Sequence, residues 1–572
     1  MNYDFNKIEK KWIKSWKDKK TYVVHENSNK KKFYVLDMFP YPSGSGLHVG
    51  HPLGYIASDI YARYKKLQDF NVLHPMGYDS FGLPAEQYAI ETGQHPEITT
   101  TKNIKRYKEQ LDKIGFSFDW NREIRTSDST YYKWTQWIFK QLFNSYYCNI
   151  DNRAVPISEL IEELERNGNA MVKSPCDEDT PRFSSSEWKN FSEKEQQNIL
   201  LKYRLAFLSD TWVNWCPGLG TVLANDEVKD GYSERGNFPV EQKKMRQWSL
   251  RITAYAERLL TDLETIEWSE SIKEMQRNWI GKSKGATIHF YTENKKSSIE
   301  VFTTRPDTIY GVSFIAIAPE HNLLNQLTIA KYKKAVQDYC KKTKLKSERD
   351  RQAETKTITG VFTGSYVTHP FNGKEIPVWV ADYVLSSYGS GAIMGVPCGD
   401  QRDWDFAKNF DLKIPNIFKN VDVSKSAATD KKLIIANSEF LNNLIAEDAI
   451  QIAIDKIENQ KFGKVKINYR LRDAIFSRQR YWGEPFPIFY KENTPYLISN
   501  DTCVTLPLIN KYLPTKDGEP PLARAQKKDW NLFEGDRMEY NTMPGWAGSS
   551  WYFLRFMDPH NDTQFVAKEK AN

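Results

Sequence analysis

Two regions of the sequence hold side chains whose types and spacing suit chemistry. In the first, His48-Val49-Gly50-His51 follows a run containing Pro42, Gly44 and Gly46. A helix beginning there would offer free backbone N–H groups and the positive end of its dipole to a phosphate. The glycines would let a nucleotide approach the backbone without meeting a Cβ. Two histidines three apart, on one helical face, could both donate hydrogen bonds to an α-phosphate whose charge grows during in-line attack. Taken alone, such a pair as readily caps a helix. Asp79, in GYDSFGLPAE, stands where a strand should end, and a carboxylate there suits an α-ammonium group. An ordinary turn aspartate fits the same position. The second region pairs Thr303-Thr304-Arg305-Pro306-Asp307-Thr308 with residues 391–403, GAIMGVPCGDQRD, ending in Asp403. Threonine hydroxyls can orient a water and a ribose, and a fixed carboxylate can hold an ammonium group. Threonine pairs are also common in strands, and loop Arg/Asp pairs are usually solvated.

The elements that must position these residues follow from hydrophobic period. Residues 32–38 form a short apolar run before a Pro/Gly turn, 47–67 have helical spacing, and 71–78 read as another buried strand. Strand, helix and strand in so short a span make a βαβ unit and a parallel sheet. Residues 102–148 are expected to be helical, with Trp134, Trp137 and Phe143 at amphipathic spacing. From 160 to 210 the chain is charged and Ser-rich, which suits a peripheral module within about 150–225. After Asn278-Trp279-Ile280-Gly281, β-type stretches dominate to about 440, and Arg/aromatic-rich turns and strands return from Tyr469. That succession of textures is what an independent fold spliced into a parent fold would give. The expected division is 1–278, 279–468 and 469–572.

The chain has 572 residues, 40% hydrophobic and 27% charged, an ordinary core-forming composition for two or three domains. No stretch approaches a membrane span and the opening residues hold neither an apolar run nor a cleavage site, so secretion and membrane insertion are not expected. Eighty basic against 73 acidic residues leave a net charge of +7, compatible with a polyanionic partner without demanding one. The six cysteines are scattered, with no zinc spacing, so a reducing cytoplasm without structural zinc is expected.

MFPYPSGSGLHVGHPLGY followed by GYDSFGLPAEQYAI resembles the opening of class I aminoacyl-tRNA synthetases of the leucine type, whose HIGH motif corresponds to HVGH. The likeness continues through DKIGFSFDW, YYKWTQWIF, WCPGLGTVLANDEV, MRQWSLRIT, RNWIGKSKG, LRDAIFSRQRYWG and SSWYF, nearly the whole chain. It implies an α/β, Rossmann-type catalytic domain, incomplete here, with an inserted β-rich editing domain. It also implies ATP, with Mg2+, and leucine as substrates, tRNA(Leu) as partner, and a monomer. By that resemblance His48 and His51 contact ATP beside Pro42, Gly44 and Gly50. Asp79 holds the amino group of leucine, and Met38, Phe39 and Tyr41 line its pocket.

A pocket separates side chains differing by one methylene by only about 1–3 kcal/mol, so a second, hydrolytic site is expected in such an enzyme. The two threonine- and glycine-rich blocks resemble that editing site. Asp403 then corresponds to the acid gripping the amino group and Thr308 to the residue barring leucine. Thr303, Thr304, Arg305, Met394 and Val396 shape the surroundings. The family commonly has His where this chain has Gly399, a departure bearing on water placement. Gly389-Ser-Gly391 with Gly395 imitates a dinucleotide fingerprint without its strand and helix. Gly281-Lys282-Ser283-Lys284-Gly285 imitates the ATP-clamping KMSKS loop but lies at the insert's entrance. The true block is expected beyond Asn572, so weak aminoacylation by these residues alone is the expectation. An isoleucyl- or valyl-type enzyme and a silent tRNA-binding or trans-editing protein are the alternatives.

Overall fold

The computed structural model describes residues 3–571 except 27, 43, 45, 225–226, 293–296, 344–350, 352–357, 386–389, 500–501, 510, 514, 516–517, 526–529 and 531. Gly389 of the glycine pattern and Asn572 lie outside the described residues.

The βαβ unit is formed by β1 (Lys32–Tyr34), α1 (Gly50–Leu67) and β2 (Asn71–Leu73), with β1 and β2 parallel and Phe33 opposite Val72. Both strands are shorter than their apolar runs. Pro40 and Pro42 follow β1 and cannot donate to a ladder. Beyond β2 the chain continues through isolated parallel bridges, Pro75 with Asp119 and Tyr78 with Arg125. A Cβ on Gly77 would meet the Ile124 carbonyl oxygen at 2.6 Å, so only glycine lets these backbones approach. This extension delivers Asp79 to the sheet's end.

The next helices are α2 (Leu83–Thr92), α3 (Pro96–Ile114) and α4 (Ser129–Phe143). The single helical stretch expected over 102–148 is thus divided, because Gly115 ends α3 in the left-handed conformation, φ 81°. Trp134 and Phe143 face the core, whereas Trp137 is 39% exposed and stacks on Phe565.

In α5 (Ile157–Asn167), α6 (Ser185–Asn190) and α7 (Glu193–Leu201), the serines that give the segment its loop-like composition are caps. Ser184 with Glu187, and Ser192 with Glu195, form capping boxes. These helices pack around Leu160, Leu164, Trp188 and Leu200. The long antiparallel pair β3 (Ala206–Cys216) and β4 (Glu241–Leu250) follows, unidentified by the period of the sequence.

The inserted fold contains β5 (Lys282–Thr292), β6 (Ser298–Thr303), β7 (Phe314–Ile317), β8 (Gly360–Thr368), β9 (Glu375–Ala381), β10 (Ala392–Gly395), α8 (Gln401–Asn409), α9 (Ala446–Asn459) and β11 (Gly463–Tyr469). Its sheet runs β6-β5-β8-β9-β7-β10, with β11 also on β5. Only β7 and β9 pair in parallel. The end strands β6 and β10 lie against each other, curling the sheet back on itself. Ile288, Phe290, Val301, Ile315, Val378 and Val380 fill its interior. The chain enters along β5 and leaves along β11, paired from Lys282 with Tyr469 to Ile288 with Gly463. The lysine-rich run 281–285 is therefore strand and helix cap, Gly281 closing the helix Glu270–Ile280 at φ 61°.

Beyond β11 the chain returns to the first unit. The Trp482 indole N–H donates to the Ser80 carbonyl at 2.8 Å, and the Gly82 N–H donates to the Trp482 carbonyl at 3.2 Å. Glu86 accepts from the backbone N–H groups of Tyr481 and Trp482 at 3.3 and 3.1 Å. The glutamate of GLPAE is thus a clasp between sequence segments almost four hundred residues apart.

Candidate functional sites

In the first cleft the two histidines meet with ring centroids 3.9 Å apart. His48 precedes α1, so capping geometry, rather than a shared helical face, brings them together. The Gly50 N–H donates to His48 Nδ1 at 3.1 Å, and the His48 N–H donates to His51 Nδ1 at 3.3 Å. An acceptor at Nδ1 puts the ring proton on Nε2, so each ring keeps one donor. Burial, then the neighbouring His48, pulls the His51 pKa down and favours its neutral form. The expectation of free helix amides needs correction here. The amides of His48, Gly50, His51 and Leu53 already have partners, and Pro52 has none to offer. The imidazoles are donors that remain for a phosphate.

The glycines divide by role. A Cβ at Gly46 would meet Gln110 Oε1 at 2.8 Å and one at Gly50 the His48 ring at 2.9 Å, whereas Gly44 backs open space, its nearest atom 3.8 Å away. Gln110 Oε1 also accepts from the Leu47 N–H at 2.8 Å, and the Pro42 carbonyl accepts from Asn103 at 2.9 Å. These contacts hold the turn in a shape that leaves room for a nucleotide over Gly44. Of the three residues expected around an amino acid, Met38 is 81% exposed, and Phe39 is buried, stacked on Tyr552 at 4.1 Å. The Tyr41 hydroxyl accepts from the Ala85 N–H at 3.4 Å.

Asp79 lies beside them. Thr126 Oγ1 donates to its Oδ1 at 3.2 Å and the Ser549 hydroxyl also bonds to it. Part of its surface stays open to the cleft, yet desolvation by the walls outweighs these donors and pushes its pKa up to about 7.

In the insert, the two blocks come together. A Cβ at Gly399 would lie 3.7 Å from both Thr308 Cγ2 and Val396 Cγ1, and one at Gly311 would lie 2.9 Å from Cys398 Sγ. Asp403, buried in the first turn of α8, accepts from the Val396 N–H at 2.8 Å and from the Tyr383 hydroxyl at 3.3 Å. Burial, then the Asp400 charge, pushes its pKa up to about 7. Thr308 spends its hydroxyl hydrogen on the Arg305 carbonyl at 2.7 Å, which leaves its methyl facing Gly399. Arg305 is tied to the buried Asp307 at 2.8 Å and braces the loop rather than reaching outward. Thr303 Oγ1 accepts from the Arg305 N–H at 3.0 Å, while Thr304 is exposed. Met394 and Val396 are buried, Met394 opposite Ile315 in the β7–β10 pair.

Thr126, Ser549 and Tyr383 bear directly on the two acids; Thr126 and Tyr383 belong to no sequence motif, and Ser549 opens the SSWYF block, in which nothing marks it for this role. Only the parallel bridge beside Tyr78, the return of the chain and the packing of α8 bring them there.

Residues 277–458 match the family model for the leucyl-tRNA synthetase editing domain, and residues 33–162 that for class I tRNA synthetases (M). A leucine–tRNA ligase of Cytophaga hutchinsonii is 57% identical over 574 residues, covering 100% of this chain and 62% of that protein. One from Porphyromonas gingivalis is 58% identical over 579 residues, covering 99% and 62%. The crystal structure of the agnB2 LeuRS of Agrobacterium radiobacter K84, a ternary LeuRS-tRNA-LeuAMS complex, superposes with a TM-score of 0.71 at 32% identity, covering 100% of this chain and 62% of that one. The chain thus spans about 62% of the length of the relatives it matches. With matches to the class I and leucyl-type editing models and 57% identity from end to end, the chain is a homologue of leucine–tRNA ligases over its whole length.

Proposed function

We propose that these residues carry the leucine and ATP subsites of a leucine–tRNA ligase together with its hydrolytic editing site, divided as 1–278 and 469–572 around 279–468. In the first site the leucine carboxylate attacks the α-phosphate of ATP, forming leucyl-adenylate and releasing pyrophosphate. A terminal ribose hydroxyl of tRNA(Leu) then takes the leucyl group. His48 and His51 donate their Nε2 protons to the phosphate oxygens, Asp79 grips the α-ammonium, and Phe39, Tyr41 and Met38 surround the side chain. Mg2+ enters with ATP as part of the substrate and eases the charge on its phosphates. The cytoplasm, where the six free cysteines would stay reduced, is the proposed setting.

In the second site Asp403 holds the ammonium of a misattached amino acid, while the Thr308 methyl narrows the space beside it against leucine. Thr303 and Thr304 offer hydroxyls to the tRNA's terminal ribose, and Met394 and Val396 form the apolar wall. The observation that carries this reading is the repetition of one device. Each module holds an acid with several donors, no cation paired to it among the described residues, and a pKa pushed up to about 7. A primary ammonium is the ligand both acids fit.

The test is deacylation of tRNA(Leu) charged with a smaller amino acid, run beside tRNA(Leu) charged with leucine. The proposal expects hydrolysis of the first and sparing of the second. Equal rates on both, or none on either, would contradict it. Leucine raising the melting temperature more than isoleucine or valine does would separate this family member from its isoleucyl and valyl counterparts.

A further inference from the structure

Glu484 is completely buried, and neither carboxylate oxygen has a hydrogen-bond partner among the described residues. The backbone N–H groups of Gly548 and of Glu484 itself ease its charge without completing a bond to either oxygen. The nearby Tyr131 hydroxyl donates to the Gly548 carbonyl instead. Among the described residues no Lys, Arg or His side chain forms an ion pair with it. Burial raises its pKa well above the ordinary carboxylate value, so the acid holds its proton until a cation reaches it and favours the charged form.

Its position indicates what arrives. The Cβ that Gly548 lacks would fall 2.3 Å from Glu484 Oε1 and 3.3 Å from Thr126 Cβ. Thr126 donates to Asp79, and Ser549, the next residue after Gly548, bonds to Asp79 as well. Gly548 therefore sits beside Glu484 while the next side chain, Ser549, holds Asp79, and the charge of Asp79 acts on Glu484. Gly548 is needed as glycine because any side chain there would expel the carboxylate. The chain also fixes Glu484 from behind: the Met543 N–H donates to its carbonyl at 2.8 Å, and the flanking Pro485 bridges Thr542.

We propose that Glu484 is a second carboxylate of the amino-acid subsite, pairing with the substrate's α-ammonium group together with Asp79. An ammonium has three N–H donors, enough to serve both acids at once. This inference rests on the reading that Asp79 grips that ammonium, so its test must fail separately from that reading.

L-Leucine and isocaproate, the same skeleton without the ammonium, are titrated calorimetrically into the chain and into its Asp79→Asn, Glu484→Gln and Gly548→Ala variants. Glu484→Gln is expected to lose about tenfold or more in leucine affinity and to keep its isocaproate affinity. Gly548→Ala should lose leucine affinity in the same way by displacing the carboxylate. Should Asp79→Asn lose leucine while Glu484→Gln binds it within about twofold of the parent, the parent reading stands and this inference falls. Equal losses for leucine and isocaproate in Glu484→Gln would mark the residue as structural and overturn the proposal. A parent chain indifferent to leucine would remove both.

Discussion

The carboxylate of Asp403 accepts a hydrogen bond from the Val396 backbone N–H at 2.8 Å, which locks the first turn of α8 to the residue that follows β10. The acid proposed to grip a misattached amino acid is thereby fixed in place before any substrate arrives, and its second oxygen faces Tyr383.

That fixed acid should give editing a pH dependence. Its folded-state pKa is about 7, above the ordinary carboxylate value, so between about pH 4 and 7 the folded chain holds a proton that the unfolded chain has released. The contribution of Asp403 to stability therefore falls as pH rises through that window. Its capacity to bind an ammonium rises over the same range. Deacylation of mischarged tRNA(Leu) is expected to climb toward a plateau near or below pH 7, since a bound cation lowers the acid's pKa. Asp403→Asn should slow it about 10- to 100-fold and flatten the profile, consistent with one charge-assisted hydrogen bond of about 1.5–3 kcal/mol. Rates measured from about pH 5.5 to 8.5 decide the matter; a variant that keeps the parent's inflection would clear Asp403 of the role.

The histidine pair yields a prediction about which nitrogen matters. Both rings accept at Nδ1 and keep their proton on Nε2. A glutamine at 51 places an amide N–H near the Nε2 position, whereas an asparagine reproduces only the inner acceptor. His51→Gln should therefore bind ATP more tightly than His51→Asn, by about 10- to 100-fold for one hydrogen bond to a charged oxygen. Isothermal titration with ATP reads the order directly, and the reverse order would mean that the inner acceptor is what the site needs.

Much of this arrangement was legible in the sequence, and the illegible part has physical causes. HVGH, Asp79 and the 303–308 and 391–403 blocks are local runs, so their residues announced themselves. The period of α1 and the β-rich texture of the insert placed them on elements. What escaped is what tertiary contact alone creates. Pro40 and Pro42 follow β1 and cannot extend a ladder, and β3 and β4 are a long pair whose register no local pattern fixes. The amides at the start of α1 were read as free because nothing in HVGH says that His48 would use the Gly50 N–H for itself. Thr126 reaches Asp79 through the bridge beside Tyr78, and Ser549 and Glu484 come near it only after the chain has gone out through the insert and come back.

The glycine at 285 tests the link between the insert's entrance and its pocket. A Cβ there would lie 2.0 Å from the Thr303 carbonyl oxygen, a backbone atom that cannot swing aside like a side chain. Gly285→Ala should therefore force β5 and β6 apart at the end where Thr303 begins the 303–308 loop. The expected loss is about 1–3 kcal/mol, the range for overpacking a well-filled site. Chemical denaturation measures it, and editing should weaken together with stability. A variant as stable as the parent would mean that the two strands can separate without penalty.

The space beside Thr308 is the last point at issue. Its hydroxyl is turned back onto the Arg305 carbonyl, so what it presents toward Gly399 is a methyl. Thr308→Ala removes both, enlarging the space by roughly one methyl and one hydroxyl and loosening the turn. Removing that methyl should let leucine itself enter, and the variant should begin to hydrolyse correctly charged leucyl-tRNA(Leu), which the parent spares. Thr308→Val keeps the methyl and replaces only the hydroxyl, so it should continue to spare leucine while losing about 0.5–1.5 kcal/mol of stability for one hydrogen bond, the Arg305 carbonyl keeping the residue-308 backbone N–H at 3.0 Å. The opposite substitution acts from across the gap. A Cβ on Gly399 would make ordinary contacts at 3.7 Å with Thr308, Val396 and Phe418, so Gly399→Ala should fold normally. It should change stability by less than about 1 kcal/mol, and narrow the same space, slowing hydrolysis of the larger misattached residues more than the smaller ones. Parallel deacylation of tRNA(Leu) carrying leucine and carrying smaller residues reads all three variants. If Thr308→Val hydrolyses leucyl-tRNA(Leu) as fast as Thr308→Ala does, the discrimination lies in the hydroxyl and the steric account of Thr308 fails.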